Sequence, residues 1–226
     1  MAHGQTRTSW IVVAITGLMA ISAGCNPLFP IFMGPYLMGA DQKANIKFHF
    51  PDNARRIAVL TYVPRNIQSE WGAVDREINE MVSRKIHEYI DSQNRKYKAK
   101  VVMAKRIHDW LDKHPDWHSM PLGEIAAALN VDHLVYLDFH VMSFYPEGSY
   151  KNLYQGHAEA SISVIRQEDG HADTVFPAES FVIDYPRTAP IHVQDMPLAR
   201  FRREYLKQVA ERVSWFFVPH ETRDEF

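Results

Sequence analysis

The chain has one cysteine, Cys25, among its 226 residues. A lone thiol makes no internal disulfide and no cysteine-based zinc cage, so stability has to come from a packed core. A surplus of charge of one sign is missing too: 25 Lys and Arg stand against 27 Asp and Glu, for a formal net charge of −2. Nucleic-acid binders usually carry a basic excess, so no nucleic-acid partner is expected. Glycine is sparse, with ten residues, and none falls in a G-x-G, a G-K-[ST] or a G-x-S-x-G pattern. This removes the dinucleotide, P-loop and nucleophile-elbow signatures. HExxH, the zincin motif, does not occur either. No cofactor is expected.

What the chain does have is apolar mass. It is 46% hydrophobic and 12% aromatic, enough to build one large core or two small ones, and its 23% charged residues argue against disorder. The apolar residues are unevenly placed. One basic residue, Arg7, precedes the uncharged run Ile11–Gly24, which ends in Ser22, Ala23, Gly24 and Cys25. A basic flank, a short apolar run and then small residues is the layout of an export signal. The competing reading is a membrane-spanning anchor in the inner membrane. Thr8 to Ala40 holds no charged residue, longer than the about 20 residues a helix needs to cross a bilayer. Pro27, Pro30 and Pro35 break its second half.

The segment Ser22-Ala23-Gly24-Cys25 resembles the lipobox of bacterial lipoproteins, departing from it at Ser22, where an aliphatic residue is usual. The resemblance implies cleavage between Gly24 and Cys25, a diacylglycerol on the sulfur and an acyl group on the new amine. Several acyl chains hold a protein on a membrane far more firmly than one. Asn26, rather than Asp, implies sorting to the outer membrane by the enterobacterial rule. The expected organisation is a signal peptide over 1–24, a lipidated cysteine and tether over 25–53, and a single α/β domain over 54–226. The tether is rich in Pro, Gly and aromatics and is expected to end in an extended segment, Ile46 to Phe50.

Within the domain, Arg55–Val63 reads as a buried strand. Val74, Ile78, Val82, Ile86 and Tyr89/Ile90 then recur at helical spacing among charges, which predicts an amphipathic helix of about five turns. Ala99–Ala104 reads as a short strand and His108–Leu111 as a helical turn. Ser119 is placed to cap a helix that tolerates Pro121 in its first turn and ends at Asn130, a residue that accepts the left-handed conformation. A long strand is expected over His133–Tyr145 and an alternating one over Gly156–Gln167. Glu168-Asp169-Gly170 is a hairpin turn, and the return strand carries Pro177, which marks a sheet edge or a bulge. A closing helix, Leu198 to about Phe217, presents Leu198, Phe201, Tyr205, Val209, Val213 and Phe216 as its apolar stripe. The fold class is α/β: a mixed sheet of about five strands, the first three parallel with crossover helices, then antiparallel hairpins and a C-terminal helix.

The strand Arg55–Val63 and the stretch Ile125–Val141, with Asn130 and Asp132 at its bend, resemble the curli-secretion-lipoprotein and TolB amino-terminal superfamily over about Arg55 to Tyr185. The same combination of lipobox, tether and domain is similar to Planctomycete lipoproteins of unknown function. Asp132 follows a helix end and precedes a strand, so its carboxylate is expected to tie down that loop, and the resemblance likewise implies a role in the fold rather than in catalysis.

Twelve histidines invite a metal hypothesis. The densest group is His108, Asp109, Asp112, His114, Asp116 and His118, set among tryptophans, and it reads first as a solvated loop. Asp138 and His140 share a strand face near the end of a central strand, a common ligand position in α/β sheets. His114, His118, Asp138 and His140 are therefore the candidate ligand or metal residues, with no catalytic residue assigned. Arg200, Arg202, Arg203, Lys207 and Arg212 give the last helix a basic face that would suit lipid phosphates, although Glu204 and Glu211 interrupt it. The reading is a non-enzymatic, lipid-anchored protein on the periplasmic face of the outer membrane. It would bind other envelope proteins, or itself, as an accessory in assembly or transport. The alternatives are a membrane-tethered metal-dependent hydrolase using the clustered His and Asp, and a ligand sensor at the carboxyl end of the sheet.

Overall fold

The computed structural model describes residues 46–93 and 98–220. The expected signal peptide and the expected tether up to residue 45, with Gly24 and Cys25, lie outside them. The elements run β1 (Arg56–Tyr62), α1 (Arg65–Trp71), α2 (Val74–Ser92), β2 (Lys100–Val101), α3 (Ala104–Leu111), a 3-10 turn (Trp117–Ser119), α4 (Leu122–Leu129), β3 (His133–Ser143), β4 (Leu153–Tyr154), β5 (Gly156–Glu168), β6 (His171–Tyr185), β7 (Ile191–His192) and α5 (Leu198–Ser214). The main sheet has the order β2-β1-β3-β5-β6. β1 pairs in parallel with both β2 and β3, and β5 pairs antiparallel with β3 and β6. This is the expected mixed five-stranded sheet with a C-terminal helix.

β1 alternates nothing: five consecutive residues, Ile57 to Thr61, are buried, because helices cover both of its faces. On one face α2 and α5 meet the sheet. Val74, Ile78, Val82, Ile86 and Ile90 of α2 join Ile57 and Val59, and Phe201, Tyr205, Val209 and Val213 of α5 join Phe139 and Ile162. The buried Asn79 donates its amide N–H to the carbonyl of Val59, while its Oδ1 has no hydrogen-bond partner inside this layer. On the other face Ile107 of α3 and Ile125, Ala126 and Leu129 of α4 pack on Ala58, Leu60, Leu134 and Ile165. Asn130 ends α4 at φ 55°. Asp169 (φ 48°) and Gly170 (φ 81°) make the β5–β6 turn with both central residues left-handed, as a two-residue hairpin requires.

Several expectations shift. Ser119 lies in the 3-10 turn, and Pro121 occupies the N-cap position of α4 with no side-chain cap. Ala104 begins α3, so β2 is only two residues long. β3 stops at Ser143 instead of Tyr145. Leu198 is exposed, because the stripe of α5 meets the sheet only from Phe201 onward. The short helix α1 and the β4–β7 ribbon were not foreseen. Ile46–Phe50 is irregular and forms no ladder, yet Phe48 and Phe50 pack against Phe217, and the Phe48 N–H donates to the Phe216 carbonyl. Pro177 sits on β6, the sheet edge, where the β5–β6 register slips twice between Ile162 and Ile165.

Candidate functional site

The strand order reverses at β1. The chain leaves β1 through α2 to reach β2 on one side, then crosses by α3 and α4 to β3 on the other. The two connections use opposite faces, so the carboxyl ends of β1 and β3 form a topological switch point, the crevice where open α/β sheets bind ligands. Tyr62 closes β1 there, and Asp138 is its register partner on β3. Ser161 of β5 extends the same row. Trp117, from the 3-10 turn, meets the Tyr62 ring edge-on at 5.7 Å, and the His118 ring lies within 21° of parallel to it at 6.3 Å.

A bulge in β3 completes the cluster. The register skips from Phe139, opposite Ala160, to Val141, opposite Glu159, and leaves His140 as the extra residue. Its Nδ1 stands 3.6 Å from Asp138 Oδ1, ion-pair distance without a hydrogen bond. Burial raises the pKa of Asp138, and His140 offsets part of the rise. Burial also raises the pKa of the Tyr136 hydroxyl, helped by Asp138 and Tyr62, so the phenol stays protonated. A half-buried carboxyl, a neutral phenol and an imidazole beside aromatic rings suit recognition of a polar molecule by hydrogen bonding and ring contact.

His114 does not join them. Its Nδ1 is 2.8 Å from the Trp110 carbonyl and its ring stacks on Trp110 at 4.2 Å. Two of the three acidic members of the dense histidine group are held elsewhere: Asp109 by Lys105 at 2.6 Å, and Asp112 by Arg76. Among the described residues, no group of three or more His, Cys, Asp or Glu converges to hold a metal ion. Asp138 and His140 therefore stand together, His118 lies against Tyr62, the register partner of Asp138, and His114 is left outside. The basic face of α5 is partly committed as well. Arg202 donates to both carboxylate oxygens of Glu77 at 2.8 Å and to the Trp71 carbonyl at 2.9 Å, and Arg200 holds Glu204.

Sequence reasoning missed Tyr62 and Tyr136 as site members, and it missed His157. The His157 ring bridges Asp184 at 2.8 Å and Glu159 at 3.1 Å. The Asp184 bond, then that of Glu159, raises its pKa against a partial loss from burial. The signal was the His157–Glu159 alternation, but Asp184 comes from β6, 27 residues away, and only the strand register brings it opposite.

At the other end of the sheet Asp132 does what its position at the bend before β3 suggested. Its carboxylate accepts the backbone N–H of Arg55 at 2.7 Å and that of Arg56, tying the α4–β3 bend to the start of β1.

Among the described residues no helix is long and apolar enough to cross a membrane. No protein-family model matches the chain, and no curated protein matches it in sequence. Three solved structures illustrate what it is similar to. They are the PelC dodecamer from Paraburkholderia phytofirmans (8% identity, TM-score 0.41, 78% of this chain and 96% of that one), the hypothetical protein CT253 from Chlamydia trachomatis (12%, 0.35, 72% and 97%) and the lipoprotein GNA1162 from Neisseria meningitidis (12%, 0.36, 71% and 98%).

Proposed function

We propose that this protein is a lipid-anchored, non-enzymatic envelope protein, acylated at Cys25 and acting as an accessory in assembly or transport by binding other envelope proteins or further copies of itself. The observation that carries the reading is the only cysteine in the chain, set directly after an uncharged run and three small residues, Ser22, Ala23 and Gly24. The resemblance of Arg55–Tyr185 to the curli-secretion-lipoprotein and TolB amino-terminal pattern supports it. Asn26 favours the outer membrane, with the domain on the periplasmic side. Confinement to a membrane plane raises the effective concentration of the domain near its partners.

The test is crosslinking in intact cells, followed by purification from solubilised membranes and mass spectrometry. The expected result is an amino-terminal peptide that begins at an acylated Cys25, together with a stoichiometric companion protein or a homo-oligomer. Cys25→Ser should abolish incorporation of labelled palmitate. An unmodified Cys25 behind an intact Met1 would overturn the anchor in favour of a spanning amino-terminal helix, and a lone monomer would overturn the accessory role.

A further inference from the structure

A second polar site lies at the opposite end of the sheet from the switch point, and it does not depend on the anchor. A cavity of about 1020 Å³ opens there. Its lining follows the strand order. Lys98 leads into β2, Arg55 into β1 and Asp132 into β3, which His133 begins, and Arg166 and Glu168 end β5, with Asp169 in the turn beyond.

Three polar atoms of the lining residues are buried without a hydrogen-bond partner: His133 Nδ1, Arg166 Nε and Gln167 Oε1. The His133 side chain is only 4% exposed, and the carboxylate beside it, Asp132 at 3.4 Å, is committed to the backbone of Arg55 and Arg56. Arg166 spends Nη2 on Asp173 at 3.0 Å, while Glu168 stands 3.8 Å from its Nε, too far for a hydrogen bond. Leaving such groups unmatched costs about 1–3 kcal/mol each. Charge is divided along the row. Arg55 and Lys98, which pair with no carboxylate among the described residues, lie on the β1–β2 side, where Asp52 also lines the cavity, and Glu168 and Asp169 lie on the β5 side. β1 and β5 are two ladders apart in the sheet, about 10 Å at ordinary strand spacing.

We propose that this cavity binds a short peptide with free ends, about three residues long. Its carboxylate lies against Arg55 and Lys98 and its ammonium against Glu168 and Asp169. Its middle amides meet Arg166 Nε, which donates to a carbonyl, and His133 Nδ1. Length decides the class: an extended chain advances about 3.3 Å per residue, so three residues match the separation of the charged groups. A compact zwitterion reaches only one of them.

The test is calorimetric titration of the full-length protein in detergent micelles with trialanine, N-acetyl-trialanine, trialanine amide and phosphoethanolamine. Trialanine is expected to bind, and blocking either end should weaken binding tenfold or more. The double variant Arg55→Gln/Lys98→Gln should bind trialanine and its amide equally, and Glu168→Gln should shrink the penalty for acetylation. All three side chains are on exposed residues, so an unchanged thermal melt is the folding control. No heat with trialanine up to its solubility limit, equal binding of the blocked peptides to the unaltered protein, or tighter binding of phosphoethanolamine would each overturn the proposal. The mass of the amino-terminal peptide reports on Cys25 separately, so neither result decides the other.

Discussion

The parallel and antiparallel halves of the sheet are built on different terms. β1, between its two parallel neighbours, is buried on both faces under α2 on one side and α3 and α4 on the other. β5 and β6 are covered on the α5 face, and on the other they present His157, Glu159, Ser161, Val182 and Asp184 beyond the reach of α4. Val182 is 54% exposed, whereas Leu60 is 0% exposed. The parallel half buries its strand interiors on both faces, and its accessible chemistry sits at the strand ends, at Tyr62, Asp138 and Asp132. The antiparallel half keeps one polar face and displays chemistry along the strands, as His157 shows.

The contrast can be broken most sharply in the parallel half. Leu60→Ala removes a side chain buried between α3, α4 and the sheet, and should cost about 2–5 kcal/mol in chemical denaturation. A loss below about 1 kcal/mol would mean that this layer is not a packed core. Gly156→Ala tests the covered face of β5, where an added Cβ would stand 2.6 Å from the Tyr205 ring. Overpacking of that kind should cost about 1–3 kcal/mol and lower the melting temperature. Asp132→Ala strips the acceptor from two backbone N–H groups at the amino end of β1, and about 1–3 kcal/mol should be lost. Hydrogen exchange at Arg55 and Arg56 should accelerate in that variant.

The exposed face should answer more weakly. The folded-state pKa of His157 is raised by Asp184 and Glu159 above that of the unfolded chain. Its contribution is therefore fully present below the unfolded value, near 6.5, while the two carboxylates stay ionised, and it is lost as pH rises through the folded value. The stability difference between the protein and His157→Gln should be about 0.2–1 kcal/mol at pH 5.5 and should vanish by pH 9. A difference that grows with pH would contradict the bridge. Val182→Ala, on the same open face, should change stability by less than about 0.5 kcal/mol.

What could be read in the sequence divided by locality, in both halves alike. Local signals were sufficient for the helix at Val74–Ser92, the left-handed stop at Asn130, the turn at Asp169-Gly170 and the placing of Pro177 at an edge, because each rests on neighbours in sequence. Asp132 was readable for the same reason, since it sits at a bend between two recognisable elements. The bulge that carries His140, the alignment of Asp184 with His157, and the row from Lys98 to Glu168 depend on which strands become neighbours. No periodicity records that. Leu198 was misplaced because helical spacing assigns a stripe without saying where the helix first touches the sheet. The expectation of a lipobox at Cys25 falls on residues outside the described ones.

The aromatic junction at the start of the domain has a mechanical consequence. Phe48 and Phe50 pack on Phe217, the Phe48 backbone bonds Phe216, and Lys47 pairs with Glu179 on β6, all before the chain enters β1. Tension applied through residue 46 falls first on this junction and is shared with the end of α5 and the β6 edge. β1 is loaded only after the phenylalanines let go. A pull applied at residue 46 would therefore be spread across the far edge of the sheet before it could reach the ladders that hold β1.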